Sequence, residues 1–402
     1  MAHYVAYLES AWDGTRFPAG SWLGTHLDRP ILARYDLDKV RLAITLQEIT
    51  LRPPTLWRYR ELLPLPTDVE PVSLGEGWTP IVECRRLAAE LGLDRLLVKD
   101  ESQLPSGSFK SRGMTVAVSM ARWLGAKRLA VPSAGNAGGA LALYAARAGI
   151  EAYIFMPQDT PRINILEASL AGARVYLVPG RITDCARLVR ARTSRFGWLD
   201  VSTLREPYRV EGKKTMGLEL AEQLGWRLPD VILYPTGGGT GLIGMWKAFQ
   251  ELIQLGWLQT EKLPRLYACQ SDGCAPIVCA YERGQRTAEP FPNPRTEASG
   301  LCVPVAVGDF LILEAIRQSG GAAVAGRETH IRFWMHTLAC KEGLAICPET
   351  AICFDALQRL LEARKVRPDE TVLVFNTGAA QKYPELFEPH CPILESIDDV
   401  KI

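Results

Sequence analysis

The chain has 402 residues, 47% of them hydrophobic and 23% charged, an ordinary globular composition with enough apolar surface for two domain cores. A formal net charge of +1 argues against an extended surface for nucleic acid or an anionic membrane, and no apolar run reaches membrane-spanning length. The ten cysteines include no Cys-x-x-Cys pair and the start of the chain lacks a secretory signal, so we expect a protein of the reducing cytoplasm.

The first 55 residues are expected to form an extension that is irregular at its start. Turn-forming glycine and proline recur there, at Gly14, Pro18, Gly20 and Gly24. No cysteine precedes Cys84, so we expect no metal site in this part of the chain. A helix is predicted to follow, up to residue 63.

Lys110 lies where a predicted strand gives way to a helix. The apolar run Leu96-Leu97-Val98 predicts the strand, Ser106-Gly107-Ser108 is a turn with a helix N-cap signal, and helical spacing begins at Phe109. The lysine then falls in the first helical turn at the end of a sheet, which suits an amine that forms a Schiff base with a carbonyl. Taken alone, a lysine at a helix start is more often a solvated charge.

From residue 128 onward, short apolar runs alternate with helical patterns. In a first series, strands are predicted at 129–131, 152–155, 175–178 and 198–201, and helices at 136–148, 161–170 and 186–193. In a second series, strands are predicted at 231–234, 265–269 and 372–375, helices at 213–224, 242–255, 311–317, 328–339 and 351–361, and a loop at 288–305. Such alternation favours right-handed crossovers and an α/β fold with mostly parallel sheets.

A glycine run, Gly237–Gly241, follows one predicted strand and opens the next helix. Backbone N–H groups at such a junction, together with the helix dipole, favour a bound phosphate, although a purely structural turn is the alternative. The overlapping stretch Gly239–Gly244 also fits the dinucleotide pattern G-x-G-x-x-G. That pattern requires an acid at the end of the next strand, and here the strand ends in Cys269-Gln270, so we regard the dinucleotide match as weak.

Five stretches in this order resemble the pyridoxal-phosphate enzymes of the β-family (fold type II), and most closely the threonine synthases. They are the Ser-Phe-Lys segment at 108–110 and the loop-forming runs at 75–80, 133–136, 236–241 and 376–378. The likeness extends from about Ser73 to Pro384. It implies two open, mostly parallel sheets with flanking helices, a large cofactor domain at 56–102 plus 202–395, a small domain at 103–201, and a homodimer. Many similar chains carry a cysteine-paired zinc segment at the N-terminus, which residues 1–55 lack.

The resemblance implies pyridoxal 5′-phosphate as the cofactor, attached to Lys110. It assigns cofactor contacts to a set of residues from four segments: Phe109, Asn136, Gly237, Gly238, Gly239, Thr240, Gly241 and Thr377. In this assignment the Asn136 amide meets the cofactor's 3′-oxygen, and the Thr377 hydroxyl meets the pyridine nitrogen. For both residues the alternative is simple capping of a helix.

The resemblance also implies substrate contacts. The loop Ser133, Ala134, Gly135 and Ala137 is assigned to a substrate carboxylate. Arg209, within the threonine-synthase-like segment Pro207–Thr215, is assigned to a substrate phosphate, because a guanidinium pairs with phosphate oxygens. Four further cations could approach the same phosphate: Arg112, Arg205, Lys213 and Lys214. A solvated basic helix start is the competing interpretation for the lysines.

The implied reaction converts O-phospho-L-homoserine and water to L-threonine and phosphate. A serine or threonine ammonia-lyase, or a β-replacement enzyme on another activated amino acid, is the alternative within the same fold. Ala137-Gly138-Gly139 replaces the usual hydroxyl-bearing residue, and Gly238 and Gly241 are nearer to the ammonia-lyases. From other classes, a nucleotide-binding oxidoreductase and a cofactor-binding protein without catalysis stay open.

Overall fold

The structure is a computed structural model, and it describes residues 3–387 and Cys391. The N-terminal segment forms a small antiparallel sheet, in the order β2-β1-β3, followed by two short helices. Its elements are β1 (Val5–Ser10), β2 (Arg16–Phe17), β3 (Ile31–Tyr35), α1 (Leu37–Ala43) and α2 (Leu46–Thr50). The expectation of an irregular start was therefore wrong. These strands pair with one another across turns, and their short apolar runs gave no long periodic signal.

The predicted helix before residue 63 is a 3₁₀ helix, Leu56–Leu62. Its backbone leaves the helical region at Tyr59, with φ −101° and ψ 33°. The aromatic ring of Trp57 and the side chains of Leu56 and Leu63 pack against the N-terminal sheet. This packing joins the N-terminal segment to the rest of the molecule.

A six-stranded sheet in the order β12-β11-β10-β13-β5-β4 forms the largest layer of the molecule. Its strands are β4 (Ile81–Glu83), β5 (Arg95–Asp100), β10 (Val231–Pro235), β11 (Arg265–Ser271), β12 (Ala322–Gly326) and β13 (Thr371–Asn376). The pairings are parallel except at β4, which runs antiparallel to β5 along one edge. Sequence patterns did not predict the two edge strands, β4 and β12. β4 has only three residues, and Val324 is the one large apolar residue of β12.

Helices cover both faces of this sheet, and each face has its own apolar core. Ile232 and Tyr234 face one core, whereas Val231 and Leu233 face the other, so the strand is apolar at every position. The helices are α3 (Arg85–Leu91), α4 (Lys110–Trp123), α8 (Arg209–Gln223), α9 (Thr240–Leu255), α10 (Pro276–Glu282), α11 (Asp309–Gln318), α12 (Ile331–Glu342) and α13 (Pro348–Glu362).

A second, four-stranded sheet is parallel throughout and has the order β8-β7-β6-β9. Its strands are β6 (Arg128–Pro132), β7 (Glu151–Pro157), β8 (Arg174–Val178) and β9 (Leu199–Asp200), and its helices are α5 (Asn136–Ala148), α6 (Arg162–Leu170) and α7 (Ile182–Phe196). The two open, mostly parallel sheets confirm the predicted fold class. Because loops that leave the carboxyl ends of parallel strands meet at one edge, the loops after β5, β6, β10 and β13 can converge on one site.

Candidate active site

Lys110 is the first residue of α4, as predicted, but the helix start is not capped as expected. The N-cap position is Phe109, and Ser106 instead bonds to Ser111, with 2.8 Å between the two hydroxyl oxygens. The Phe109 N–H donates to the carbonyl of Thr377 over 3.0 Å. This bond joins the start of α4 to the end of β13, so Lys110 and Thr377 belong to one site.

Lys110 is half-buried. Its Nζ lies 3.7 Å from the centroid of the Phe109 ring, and within residues 3–387 it has no hydrogen bond or ion pair. Burial, followed by the positive charge of Arg209, lowers the pKa of Lys110 to about 7. An amine with this pKa is a nucleophile and a proton acceptor at neutral pH.

We therefore expect the cofactor-free protein to capture added pyridoxal phosphate at a rate that rises with pH through about 7. Below this pH the amine is protonated and unreactive; at pH 7 about half of it is neutral, against a tiny fraction for a lysine with its ordinary pKa. Stopped-flow absorbance follows the capture of pyridoxal phosphate across a pH series and gives the apparent pKa of the Lys110 amine. Arg209→Met is the control and should move that pKa upward, because it removes a charge that lowers it. A rate that kept rising towards pH 10 would contradict the expectation.

Thr377 follows β13 directly and does not cap a helix. Its N–H donates to Thr350 Oγ1 over 3.2 Å, and its own hydroxyl oxygen lies 3.6 Å from Cys347 Sγ. The neighbouring Asn376 side chain donates to Asp100 Oδ1 over 2.8 Å, which binds β13 to the end of β5. The Thr377 hydroxyl is thus held at the carboxyl edge of the large sheet.

Asn136 is the first residue of α5, and the helix's N-cap position is Gly135, so the amide is free for other contacts. The Asn136 amide donates to the Tyr383 hydroxyl over 3.4 Å. A Cβ built on Gly378 would lie 3.6 Å from Asn136 Nδ2, which places the amide beside the Asn376–Gly378 turn. The loop after β6 therefore reaches the loop after β13.

The preceding loop is held by Ser133. Its hydroxyl donates to the carbonyl of Gly135 over 2.8 Å and accepts from the Gly138 N–H over 2.9 Å. Ala134 accepts a bond of 3.5 Å from the Asn164 amide, and Ala137 lies in the first turn of α5. The four residues assigned to a substrate carboxylate thus form one bonded loop at a helix N-terminus, a favourable place for an anion.

Gly139, one turn into α5, leaves room for a carboxylate from α6. A Cβ on Gly139 would overlap the carboxyl group of Glu167. Glu167 in turn accepts two bonds from Lys382 Nζ, of 2.8 and 2.7 Å. The departure from a hydroxyl-bearing residue therefore makes space for an ion pair that ties α6 to the segment after β13. Sequence reasoning missed both partners, since nothing local connects them.

The glycine run connects β10 to α9, and the N-cap position of α9 is Gly239, which has no side chain to cap the helix. Steric crowding also explains why glycine occurs at four positions of this run. A Cβ on Gly237 would lie 2.5 Å from the Gly300 carbonyl, one on Gly238 would lie 2.9 Å from Thr203 Cγ2, and Gly239 has φ +74°. A Cβ on Gly241 would overlap the Tyr234 hydroxyl. The glycines allow the loop to pack closely while Thr240 begins the helix, whose first N–H groups can bind a phosphate.

The dinucleotide interpretation loses its support in the structure. A Cβ on Gly244 would lie 2.8 Å from the Lys214 backbone nitrogen, so this glycine serves the packing of α9 against α8. Asp272, after β11, accepts a bond of 3.0 Å from the Glu328 N–H and holds a neighbouring turn. Both residues therefore have structural roles.

Arg209 begins α8 and is almost completely buried, with 2% of its surface exposed. Its guanidinium donates to the Val201 carbonyl over 2.6 Å and more weakly to Thr203 Oγ1 over 3.5 Å. In the described part of the chain, its Nε has no partner and no carboxylate forms an ion pair with it. Glu206, three residues before Arg209, accepts from the backbone N–H groups of Tyr208 over 2.7 Å and of Arg209 over 3.1 Å. Burial raises the pKa of Glu206 to about 7, although the positive charge of Arg209 acts against this.

Three of the four further cations that were candidates for the same phosphate lie within ion-pair distance of an acid of this chain. Arg112 is buried and binds Glu101 and Glu219, Lys214 binds Glu211 and Glu251, and Arg205 lies 3.8 Å from Asp28. Lys213 forms no ion pair with an acid of the described residues, and its amine donates to the carbonyl of Phe109.

Glu349 is a residue of the site that sequence reasoning missed. It lies in the first turn of α13, and its Oε1 accepts bonds from the Tyr383 hydroxyl over 2.7 Å and from the Gly300 N–H over 2.8 Å. Its other oxygen is buried without a partner among the described residues. The sequence offered no signal for this residue, because its partners are 34 and 49 positions away.

Together these residues fit pyridoxal 5′-phosphate. A helix N-terminus that follows glycines offers donors to its phosphate, and Lys110 offers a neutral amine to its carbonyl carbon. Among residues 3–387 and Cys391, we find no group of side chains that could hold a metal ion, and no helix long and apolar enough to cross a membrane.

The family model described as "Pyridoxal-phosphate dependent enzyme" matches residues 72–378. The threonine synthase of Methanosarcina acetivorans is 36% identical over 352 residues, which cover 87% of this chain and 85% of that protein. The threonine synthase of Methanocaldococcus jannaschii is 34% identical over 352 residues, with 87% and 86% covered.

Among solved structures, maize serine racemase aligns with a TM-score of 0.65 and 22% identity, over 75% of this chain and 88% of that one. The T.th. threonine deaminase aligns with a TM-score of 0.63 and 26% identity, over 75% and 92%. With the family match and the threonine synthase relatives, these findings show that the chain is a threonine synthase-like member of the pyridoxal-phosphate dependent enzyme family.

Proposed function

We propose that this enzyme is a threonine synthase, which converts O-phospho-L-homoserine and water to L-threonine and phosphate. The observation that carries the proposal is Arg209, a buried guanidinium that forms no ion pair with any carboxylate of the described residues. Arginine keeps its proton, and an isolated buried charge is costly, so such a site favours an anionic ligand. Phosphohomoserine brings a phosphate, whereas serine and threonine bring none.

Pyridoxal phosphate, when bound, supplies a ring that withdraws electrons from the substrate's Cα and so makes elimination possible. Lys110 is the residue that would hold the cofactor and then take and return protons at Cα and Cβ. Its amine, with a pKa lowered to about 7, can do both at neutral pH. The Thr377 hydroxyl would meet the pyridine nitrogen, and a hydroxyl does not require a protonated ring, which suits elimination and replacement chemistry.

The remaining residues would bind and orient. Phe109 packs beside Lys110, and the Asn136 amide would reach the cofactor's 3′-oxygen. The loop of Ser133, Ala134, Gly135 and Ala137 would hold the substrate carboxylate. The cofactor phosphate would lie on the run Gly237, Gly238, Gly239, Thr240 and Gly241. The bond between Lys382 and Glu167 would keep water out, because it joins the two sides of the site.

The ammonia-lyase alternative has less support. Gly238 and Gly241, which favoured it on sequence, have steric reasons in the fold, since a Cβ on either would meet Thr203 or Tyr234. A direct assay of the purified holoenzyme tests the choice. We expect phosphohomoserine to release threonine and phosphate in equal amounts, and serine and threonine to release ammonia much more slowly. Fast deamination of serine or threonine with no turnover of phosphohomoserine would favour the ammonia-lyase over the threonine synthase.

We also propose the domain division expected from the resemblance, with an N-terminal extension at 1–55, a small domain at 103–201, and a large domain at 56–102 plus 202–395. Apart from Cys391, the end of that large domain lies outside the described residues, from 388 to 395. All ten cysteines are free, which supports a reducing compartment such as the cytoplasm. A homodimer is our expectation for the assembly, and sedimentation velocity would measure it.

Replacing Gly239 with aspartate should weaken cofactor binding at least about tenfold more than replacing it with alanine. Both side chains are strained at φ +74° and crowd Ile312, so the alanine variant accounts for the steric effect. The aspartate adds a negative charge beside the cofactor's phosphate, and like charges in a buried site cost several kcal/mol. Titration of the cofactor-free proteins with pyridoxal phosphate measures both affinities. Equal affinities for the two variants would count against this loop as the phosphate site.

A further inference from the structure

Arg209 and Lys213 are exceptions among the buried cations of this protein. Seven cationic side chains are buried in the described part of the chain: Arg58, Lys99, Arg112, Arg209, Lys213, Lys214 and Lys247. Five of these seven form an ion pair with a carboxylate, and the two that do not are Arg209 and Lys213. Because an unpaired buried charge is costly, two such residues side by side indicate a missing anion.

The two residues lie one turn apart on the same face of α8. That face touches the start of α4, because glycines let the two helices approach closely. A Cβ on Gly113 would lie 2.9 Å from the Arg209 carbonyl and 3.1 Å from Lys213 Cε. Lys213 Nζ lies 4.1 Å from the centroid of the Phe109 ring, the same ring that Lys110 Nζ approaches to 3.7 Å. Arg209 and Lys213 therefore border the site of Lys110.

Lys213 also has unused donor capacity. A protonated lysine has three N–H donors, and one of them is used by the Phe109 carbonyl. The next residue, Lys214, shows the usual arrangement in this fold, with carboxylate oxygens of Glu211 and Glu251 at 2.7 and 2.9 Å. Lys213 thus has the same N–H donors as Lys214, but no carboxylate of the described residues pairs with it.

The surroundings of Lys213 oppose its charge. Burial, then Lys110 and Arg209, lower the pKa of Lys213 well below its usual value, and Arg112 adds to this, whereas Glu101 acts against it. On α8 and α9, the acids Glu211 and Glu251 are paired with Lys214 and Lys247. Arg209 cannot release its proton, so Lys213 is the group that adjusts when no anion is present.

We propose that Lys213 is a second binding residue for the substrate's phosphate, and that it takes up one proton from solvent when a doubly charged anion binds. This inference rests on the proposed function, in which Arg209 binds the same phosphate. The arriving anion stabilises the protonated amine, so binding and protonation favour each other. Affinity for a dianion should therefore fall as pH rises through the range in which free Lys213 loses its proton.

Calorimetric titration of the holoenzyme with sulfate tests this, because sulfate is doubly charged and has no proton to exchange near neutral pH. Binding enthalpies in buffers of different ionisation enthalpy give the number of protons taken up. We expect nearly one proton for the wild type and none for Lys213→Arg, whose charge is permanent and whose affinity should be retained. Lys213→Met should take up none and bind more than about tenfold more weakly. Arg209→Met should also weaken binding, which locates the sulfate.

Visible absorbance of the bound cofactor and the melting temperature show whether each variant is folded. If Lys213→Met does not fold, the Lys213→Arg variant provides the test. Proton uptake by Lys213→Arg equal to that of the wild type would overturn the proposal. Wild-type sulfate affinity in Lys213→Met would also overturn it. If phosphohomoserine turnover depends on Arg209 but not on Lys213, the proposed function stands and this inference fails. If the wild type does not turn over phosphohomoserine, the proposed function fails.

Discussion

Replacing Lys110 with alanine should reduce threonine formation by roughly 10⁴-fold or more, because one side chain both holds the cofactor and moves the protons. The wild-type protein should be yellow, and borohydride should attach the cofactor permanently to a single lysine. The physical reason is the pKa of about 7 of the Lys110 amine, which makes the amine available as a neutral nucleophile at neutral pH. Steady-state kinetics and the absorbance spectrum measure the two effects.

Peptide mapping after borohydride provides the decisive control. Lys213 lies against the same phenylalanine ring as Lys110 and is buried, so it is the natural competitor. Lys213→Met should keep the label on Lys110. A label on Lys213 or Lys99 in the wild-type protein would show that Lys110 has been assigned the wrong role.

Replacing Arg209 with methionine should lower kcat/KM for phosphohomoserine by about a hundredfold, which corresponds to roughly 2–4 kcal/mol for a lost charge-assisted pair of hydrogen bonds. Methionine keeps much of the packing of this buried side chain and removes the donors. Arg209→Lys keeps the charge but not the planar fork, so it should fall between the wild type and Arg209→Met. Assays of phosphate release measure all three proteins.

The residual deamination of serine is the matched control for Arg209, because serine carries no phosphate. We expect it to change by less than about threefold in Arg209→Met, an effect of under about 1 kcal/mol. An equal loss of both activities would mean that Arg209 supports the fold through its bond to the Val201 carbonyl. The substrate phosphate would then need another partner.

Much of the architecture could be predicted from local patterns. Strands buried on both faces, such as Val231–Pro235 and Thr371–Asn376, contain continuous apolar runs, and these runs identify them. The N-terminal sheet could not be predicted in this way. Its strands are short, β2 has only two residues, and β1 pairs with β3 across the intervening residues 11–30. Pairing of that kind leaves little trace in a local window.

By itself, the sequence determined the fold class, the order of the elements around the site, and the junctions at which Lys110, Asn136, Gly237–Gly241 and Thr377 fall. These are properties of short segments, so composition and spacing record them. Only the tertiary structure decided which partner each charged side chain of the site has. Lys214 is paired with acids while Lys213, its neighbour, is not, because successive residues on a helix point in different directions. The contacts of Glu349, Lys382 and Glu167 likewise depend on chain crossings that no local pattern contains.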